Sequence, residues 1–139
     1  MPKWPGETAH TVGAAECSPN GNMDETALVA LLQRSRAAYW AALGEPAAAY
    51  AFRVWDLRLK FLRPMRAGES LLVRPQFDEI EHRTLRLRFL IFDAETDAFV
   101  AEASSMVVVI GPRGSDVDVP PVVRAAAEAL EGRPFGVPG

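Results

Sequence analysis

Five polar side chains that can take part in acid–base or nucleophilic chemistry lie across a short loop and the start of an apolar run. They are Glu16, Ser18, Asn22, Asp24 and Glu25. A carboxylate can act as a general base on water, and a serine or asparagine can hold that water or polarise a carbonyl oxygen. If a helix begins here, its first backbone N–H groups lack intrahelical partners and suit a developing oxyanion. We expect the N–H groups near Met23 and Asp24 to fill that role.

Each of these residues also has a structural interpretation. Asn22 and Glu25 have the spacing of a capping box, in which the first side chain accepts a backbone N–H and the second reaches back. Asp24 suits the positive end of a helix dipole, and Glu16 suits a salt bridge in the loop. The residue types leave both kinds of role open.

The apolar run that follows predicts one long helix ending at Gly44, since it contains no Gly or Pro and is rich in Ala, Leu, Gln and Arg. Apolar residues occupy well over half of its circumference. A helix this apolar cannot lie on a surface with one face in water, so we expect a sheet to wrap around it.

Alternating apolar residues predict the strands of that sheet, and the short turns between the long strands require antiparallel pairing. In the second strand, Trp55, Leu57, Leu59 and Phe61 are expected to face the core, opposite Asp56, Arg58 and Lys60. Pro75 indicates a sheet edge or a bulge, and Gly13 a bulge in a short first strand. The predicted strands span 8–15, 50–62, 70–81, 84–92 and 99–110, and a short amphipathic helix spans 121–130. The fold class is α+β, in a single domain over 1–139 with irregular tails at 1–7 and 132–139.

Composition excludes several classes of function. The chain has 139 residues, a net charge of −3 and a single cysteine, so neither a nucleic-acid partner nor an intrachain disulfide is expected. No segment has the length of a signal peptide or a membrane span, which predicts a cytoplasmic protein without a membrane partner. There is no Gly-x-Ser-x-Gly elbow, phosphate-binding loop, dinucleotide fingerprint or metal-ligand cluster, so no cofactor and no metal are expected. Cys17 has no neighbour that would activate its thiol, and a lone histidine such as His10 is more often structural than catalytic.

Three segments resemble the hotdog fold and, within it, the 4-hydroxybenzoyl-CoA thioesterase-like group. Segment 16–44 has the group's polar loop followed by a helix, which ends in the sequence Tyr39-Trp40-Ala41-Ala42-Leu43-Gly44. Segment 57–70 is similar to the family's second strand and the turn after it. Segment 83–87 is similar to the start of the next strand. The resemblance covers roughly residues 8 to 125. It implies a sheet wrapped around one central helix, a homodimer or homotetramer with the site between protomers, and hydrolysis of an acyl-CoA thioester.

At one position the chain departs from the group. Its acyl-CoA thioesterases carry a loop aspartate that acts as nucleophile or general base, and Ser18 stands at that place. An unassisted serine is a poor nucleophile. The candidates to replace the aspartate are Glu25 and Glu16, ranked level, followed by Asp24, with Ser18 or Asn22 positioning water. The alternatives are a non-hydrolytic acyl-CoA-binding or structural protein, and a thioesterase acting on carrier-protein thioesters.

Many cations lie on the strands and turns of this net acidic chain. They are Arg58, Lys60, Arg63, Arg66, His82, Arg83, Arg86 and Arg88. One interpretation is a solvated sheet face. The other is recognition of coenzyme A phosphates or a carrier protein's phosphopantetheine, for which the forked donors of arginine are suited. The resemblance implies Arg83 first, then His82, with Arg58, Lys60, Arg63 and Met23 as further substrate-binding candidates.

Overall fold

The computed structural model describes residues 4–135, and the predictions for 1–3 and 136–139 lie outside the described residues. Its elements follow the predicted order, with a short helix and a two-residue strand added. They are β1 (Thr8–Thr11), a 3-10 turn (Ala14–Glu16), α1 (Glu25–Leu43), α2 (Glu45–Ala48), β2 (Ala51–Phe61), β3 (Ser70–Ile80), β4 (Thr84–Asp93), β5 (Phe99–Ile110), β6 (Asp116–Val117) and α3 (Pro121–Glu131).

The strands form one curled sheet in which every pairing is antiparallel, in the order β1-β3-β4-β5-β2, with β6 paired to β5. Leu85, Leu87, Phe89 and Ile91 alternate along β4 on the inner face and are fully buried. The core lies between this face and α1, as predicted for a sheet around a central helix.

The sheet covers one side of α1. Leu28, Leu31, Leu32 and Tyr39 are buried against it, whereas Ala30, Ala37 and Ala41 are exposed. The predicted sheet around the helix is confirmed, and within a single chain it leaves one face of α1 exposed. Alanines tolerate exposure because each presents only one methyl group.

A bulge in β2 overturns part of the predicted core. The register shifts between Val54 and Asp56, which leaves Trp55 as an extra residue that is 60% exposed. The bulge reverses the alternation, so that Phe52 before it and Leu57 and Leu59 after it all pack against the core. Phe61 is 40% exposed, contrary to the prediction.

The ends of the sheet differ from the prediction in two places. The first strand stops at Thr11, and Gly13 is not a bulge but the start of the 3-10 turn. Pro75 does lie at a local edge, because β1 pairs only with residues 70–73 of β3 and the Trp4 indole donates to the Pro75 carbonyl at 2.7 Å.

The described part of the segment after α3, where a frayed tail was predicted, contains no helix or strand, but its last residue packs against the core. Phe135 is 6% exposed, packs edge-to-face on Phe77, and donates its N–H to the Glu128 carboxylate at 2.6 Å. Its aromatic ring therefore closes the core at that end.

Candidate functional site

Backbone hydrogen bonds fix the loop that leads into α1. The Gly21 N–H donates to the Ser18 carbonyl and the Ser18 N–H to the Asn22 carbonyl, both at 2.8 Å. Gly21 has a φ of 86°, a conformation that glycine adopts without strain. The Met23 N–H donates to the Met65 carbonyl at 2.6 Å, so that the end of the loop is attached to the turn after β2.

Asp24, and not Asn22, caps the helix. The Asp24 carboxylate accepts the Ala27 N–H at 2.8 Å, while the Asn22 N–H donates to the Asn20 side chain at 3.0 Å. The predicted capping box of Asn22 and Glu25 is therefore wrong. A cap at Asp24 satisfies one helix donor and also places a negative charge at the positive end of the dipole.

The free donors at the helix start lie two residues later than expected. The Met23 N–H donates to the Met65 carbonyl, and the Asp24 N–H donates to the Glu16 carbonyl at 2.9 Å. Neither N–H group is therefore free to donate to an oxyanion. Within residues 4–135, the Glu25 and Thr26 N–H groups have no acceptor. Because the cap is Asp24 and not Asn22, the N–H groups without an intrahelical acceptor also lie two residues later in the sequence.

A cavity of about 390 Å³ opens at this end of α1. We call it the amino-end cavity; its lining residues are Asn22, Met23, Glu25, Phe61, Leu62, Arg63 and Pro64. It thus brings together Asn22, Met23, Glu25 and Arg63 among the predicted site residues. Phe61, Leu62 and Pro64 were missed, since the sequence assigned Phe61 to the core, Leu62 to the end of the second strand and Pro64 to a turn.

Two side chains that line this cavity have polar groups without a hydrogen-bond partner in the described chain. The Asn22 Oδ1 atom is buried and has no hydrogen-bond partner in the described chain. The Glu25 carboxylate is exposed and makes no hydrogen bond or ion pair there. A buried acceptor without a partner costs about 1–3 kcal/mol. The site is therefore suited to receive a donor such as a water molecule.

Arg63 is held in the cavity wall by two carboxylates. Its guanidinium donates to Glu69 and to Asp93, each at 2.8 Å. The pKa of Asp93 lies below its usual value, chiefly because the Glu95 and Thr96 N–H groups bond to the carboxylate, with the charge of Arg63 adding to the effect. Arg63 therefore supports the wall and carries little unbalanced positive charge for a ligand.

Glu16 is turned toward a different set of partners. Its carboxylate accepts the Gly13 N–H and contacts His10 Nε2, each at 2.8 Å. Arg34 lies 3.1 Å from His10 Nδ1, and because a guanidinium only donates, the neutral imidazole carries its proton on Nε2. The Gly13 N–H bond is the main reason that the pKa of Glu16 is lowered, with the hydrogen bond to His10 adding to it.

The remaining candidates lie elsewhere. The Ser18 hydroxyl bonds to the Asn20 side chain and to the Asn22 carbonyl, neither of which is a base. Arg58 and Lys60 line a separate cavity on the outer face of the sheet.

The turn with His82 and Arg83 lies at the far end of the sheet from the amino-end cavity. Arg83 donates to the Asp116 carbonyl at 2.7 Å and pairs with Asp118 at 3.4 Å. Phe61 pairs with Ala101 of β5, whereas the first residue of β4 pairs with Val108, seven residues further along β5. At the rise of a strand this is roughly 23 Å. Within one chain, Arg83 and Glu25 therefore do not belong to the same site.

Metal ligands and membrane helices are both lacking in the described part of the chain. Among residues 4–135, no three His, Cys, Asp or Glu side chains are grouped so as to hold a metal ion. No described helix combines the length and hydropathy needed to cross a membrane.

Comparisons with known proteins agree with this architecture. Residues 12–127 match the model of the thioesterase-like superfamily. A thioesterase from Thermus thermophilus, solved with coenzyme A and zinc, superposes with a TM-score of 0.84 at 20% identity, over 96% of this chain and 99% of that one. A 1,4-dihydroxy-2-naphthoyl-CoA thioesterase from Synechocystis gives 0.76 at 16% identity, covering 90% and 96%. The dynemicin thioesterase gives 0.77 at 18%, covering 89% and 95%. No curated protein matches the chain.

Proposed function

The chain belongs to the thioesterase-like superfamily, and from that premise we propose that it hydrolyses acyl-CoA thioesters with Glu25 as the general base. The observation that carries the proposal is the state of the three candidate carboxylates. Asp24 caps α1 and Glu16 is bonded to Gly13 and His10. Glu25 alone lines the amino-end cavity and has no partner in the described chain.

The proposed reaction uses the start of α1 for both of its polar tasks. Glu25 takes a proton from a water molecule, which attacks the thioester carbonyl carbon while the Asn22 amide oxygen orients the water by accepting its other hydrogen. The carbonyl oxygen becomes an oxyanion and is stabilised by the free N–H groups of Glu25 and Thr26. The C–S bond then breaks, the thiolate recovers the proton from Glu25, and the products are a carboxylic acid and a thiol.

The sequence ranked Glu16 and Glu25 level as the general base. The lowered pKa of Glu16 supports the choice of Glu25. A carboxylate whose charged form is already satisfied by an N–H donor is a weaker base, because taking a proton costs it that hydrogen bond. Ser18, at the place of the group's usual aspartate, supports a mechanism in which water and not the protein is the nucleophile.

The test is thiol release from a panel of acyl-CoA substrates. Exchange of Glu25→Gln keeps the size of the side chain and removes its charge, and should lower kcat by roughly 10²-fold or more. Glu95→Gln, in an exposed turn, is the matched control and should keep the activity of the parent protein. If Glu16→Gln abolishes turnover while Glu25→Gln does not, the assignment of the base is wrong.

A second candidate function is acyl-CoA binding without hydrolysis, which the replacement of the loop aspartate by Ser18 favours. Saturable binding of a non-reacting acyl-CoA analogue, together with no thiol release from the whole panel, would establish it. A preference for carrier-bound over CoA-bound acyl groups would instead identify a carrier-protein thioesterase.

We also propose that the active form is a homodimer formed through the edge of β2. This strand is the last in the sheet. It presents Trp55 and Phe61, which are 60% and 40% exposed, and Leu62, directly after it, is 45% exposed. Large exposed apolar side chains on an unpaired edge favour a protein partner. Phe61 and Leu62 also line the amino-end cavity, so a second copy on this edge would complete its wall.

A further inference from the structure

A second cavity, of about 440 Å³, lies where the edge of β3 meets the end of α3 and the segment before β1. We call it the β3-edge cavity; among its lining residues are Trp4, Pro5, Pro75, Gln76, Glu131 and Arg133. Its volume falls in the range of small-molecule sites, about 300–1,000 Å³. Tyr39 also lines it and lies roughly 21 Å along α1 from Glu25, at about 1.5 Å per residue. The β3-edge cavity is therefore separate from the amino-end cavity.

One wall of this cavity is apolar and held in place. The Trp4 indole donates to the Pro75 carbonyl at 2.7 Å. Gly6 packs so closely on α1 that a Cβ atom there would lie 2.8 Å from the Tyr39 Cα atom. Because these contacts fix the segment before β1, the ring faces of Trp4, Pro5 and Pro75 are available to a ligand without further ordering.

The opposite side of the cavity carries a buried carboxylate. The Glu131 side chain is only 8% exposed, and its Oε2 atom accepts the Tyr39 hydroxyl and the Phe77 N–H. Its Oε1 atom contacts only Arg133, with the Nε and Nη2 atoms each at 3.3 Å. Charge-assisted N–H···O bonds are usually about 2.7–2.9 Å long. Oε1 can therefore still accept a shorter hydrogen bond from a ligand.

Hydrogen-bond donors lie beside this carboxylate. The Nη1 group of Arg133 makes no hydrogen bond with a described residue, since its Nε and Nη2 atoms supply the bonds to Glu131 and Phe77. The half-buried Gln76 side chain likewise has no hydrogen-bond partner in the described chain. A guanidinium and an amide N–H group are together suited to a ligand carboxylate.

The charges of the lining residues determine which ligand fits. One carboxylate, Glu131, and one guanidinium, Arg133, line the cavity. A ligand with only a negative charge is repelled by Glu131, and one with only a positive charge is repelled by Arg133. A zwitterion matches both charges.

We propose that the β3-edge cavity binds a free α-amino acid with an apolar side chain. Its ammonium group donates to Oε1 of Glu131, and its carboxylate accepts from Arg133 and Gln76. Its side chain packs against Trp4 and the two prolines. This site goes beyond the proposed hydrolysis and uses none of the residues given to that reaction.

Calorimetric titration of the full chain with L-phenylalanine tests the site. The comparison ligands are 3-phenylpropionate, which lacks the ammonium group, and 2-phenylethylamine, which lacks the carboxylate. We expect phenylalanine to bind, and each comparison ligand to bind more weakly by roughly tenfold or more, because a hydrogen bond between charged groups is lost.

Exchange of Gln76→Met removes the amide at nearly constant size, from a side chain that has no described hydrogen bond. It should weaken phenylalanine by roughly tenfold, since a bond to the ligand carboxylate is lost, and leave the affinity for 2-phenylethylamine unchanged. Gln33→Met makes the same exchange at an exposed position of α1 that does not line the cavity and should change neither affinity.

A lack of phenylalanine binding would overturn the proposal. A comparison ligand that binds as tightly as phenylalanine would also overturn it, because the charge that it lacks would then make no contact. Equal effects of the Gln76 and Gln33 exchanges would contradict the assigned position of the carboxylate. The titration uses no thioester, so its result does not depend on the proposed function.

Discussion

The Tyr39 hydroxyl donates a hydrogen bond to Oε2 of Glu131, which joins the C-terminal part of α1 to the last residue of α3. The Glu131 side chain is only 8% exposed, and the same oxygen accepts the Phe77 N–H at 2.7 Å. Burial, together with the neighbouring carboxylate, raises the pKa of Tyr39, so the phenol stays protonated and remains a donor. One carboxylate thus holds α1, α3 and β3 together.

Removal of that phenol should destabilise the fold. Tyr39→Phe leaves the buried Glu131 carboxylate with one donor fewer, and we expect the free energy of unfolding to fall by about 1–3 kcal/mol. Urea unfolding followed by circular dichroism measures the change. Tyr50→Phe, at a half-buried tyrosine outside this cluster, is the control, and an equal loss in both variants would contradict the role given to Glu131.

Exchange of the bulged tryptophan tests the dimer. Trp55→Glu places a charge on the β2 edge, and because Trp55 is 60% exposed in the single chain it should not unfold the protein. Sedimentation velocity should show the parent protein as a dimer and the variant as a monomer. Val122→Glu changes an apolar residue that is 52% exposed on α3 and should leave the dimer intact. A parent protein that sediments as a monomer would contradict the proposed interface.

The bounds of the long strands could be predicted from the sequence because they depend on local alternation. The last strand was predicted at 99–110 and is observed as Phe99–Ile110, and the central helix ends at the predicted glycine. The face on which Trp55 lies could not be predicted, since the bulge is defined only by the register against β5. The exposure of the alanines on α1 could not be predicted either, because composition does not tell how far one sheet reaches around a helix.

The cavity at the start of α1 could be anticipated from the sequence in part, but the details of the helix start could not. The sequence identified the start of α1 and Glu25, and the amino-end cavity opens there. It misplaced the cap by two residues, because Asn22 and Asp24 are both good capping residues and only the backbone conformation decides between them. It could not separate Glu16 from Glu25, since the partner of Glu16 is His10 on a neighbouring strand.

Acid titration should reveal the bonded state of Glu16. Its pKa in the folded protein lies below the usual value of 4.5, so the ionised carboxylate stabilises the fold above that pH. The stabilisation is lost as the pH falls through the folded pKa. The difference in free energy of unfolding between the parent protein and Glu16→Gln should therefore keep its full value at pH values well above 4.5 and shrink as the pH falls below 4.5. A difference that does not vary with pH would contradict the hydrogen bonds assigned to the carboxylate.

Removal of a single backbone donor tests the proposed oxyanion site. Thr26→Pro eliminates one of the two free N–H groups at the start of α1, in the first helical turn where proline is tolerated. Thr26→Ala keeps that N–H and removes only the side-chain hydroxyl. If the N–H stabilises the oxyanion, the proline variant should have a kcat lower than the alanine variant by roughly 10²-fold, because the interaction forms only in the transition state. Urea unfolding of both variants shows whether the helix start is retained. Equal kcat values in two folded variants would mean that the carbonyl oxygen is stabilised elsewhere.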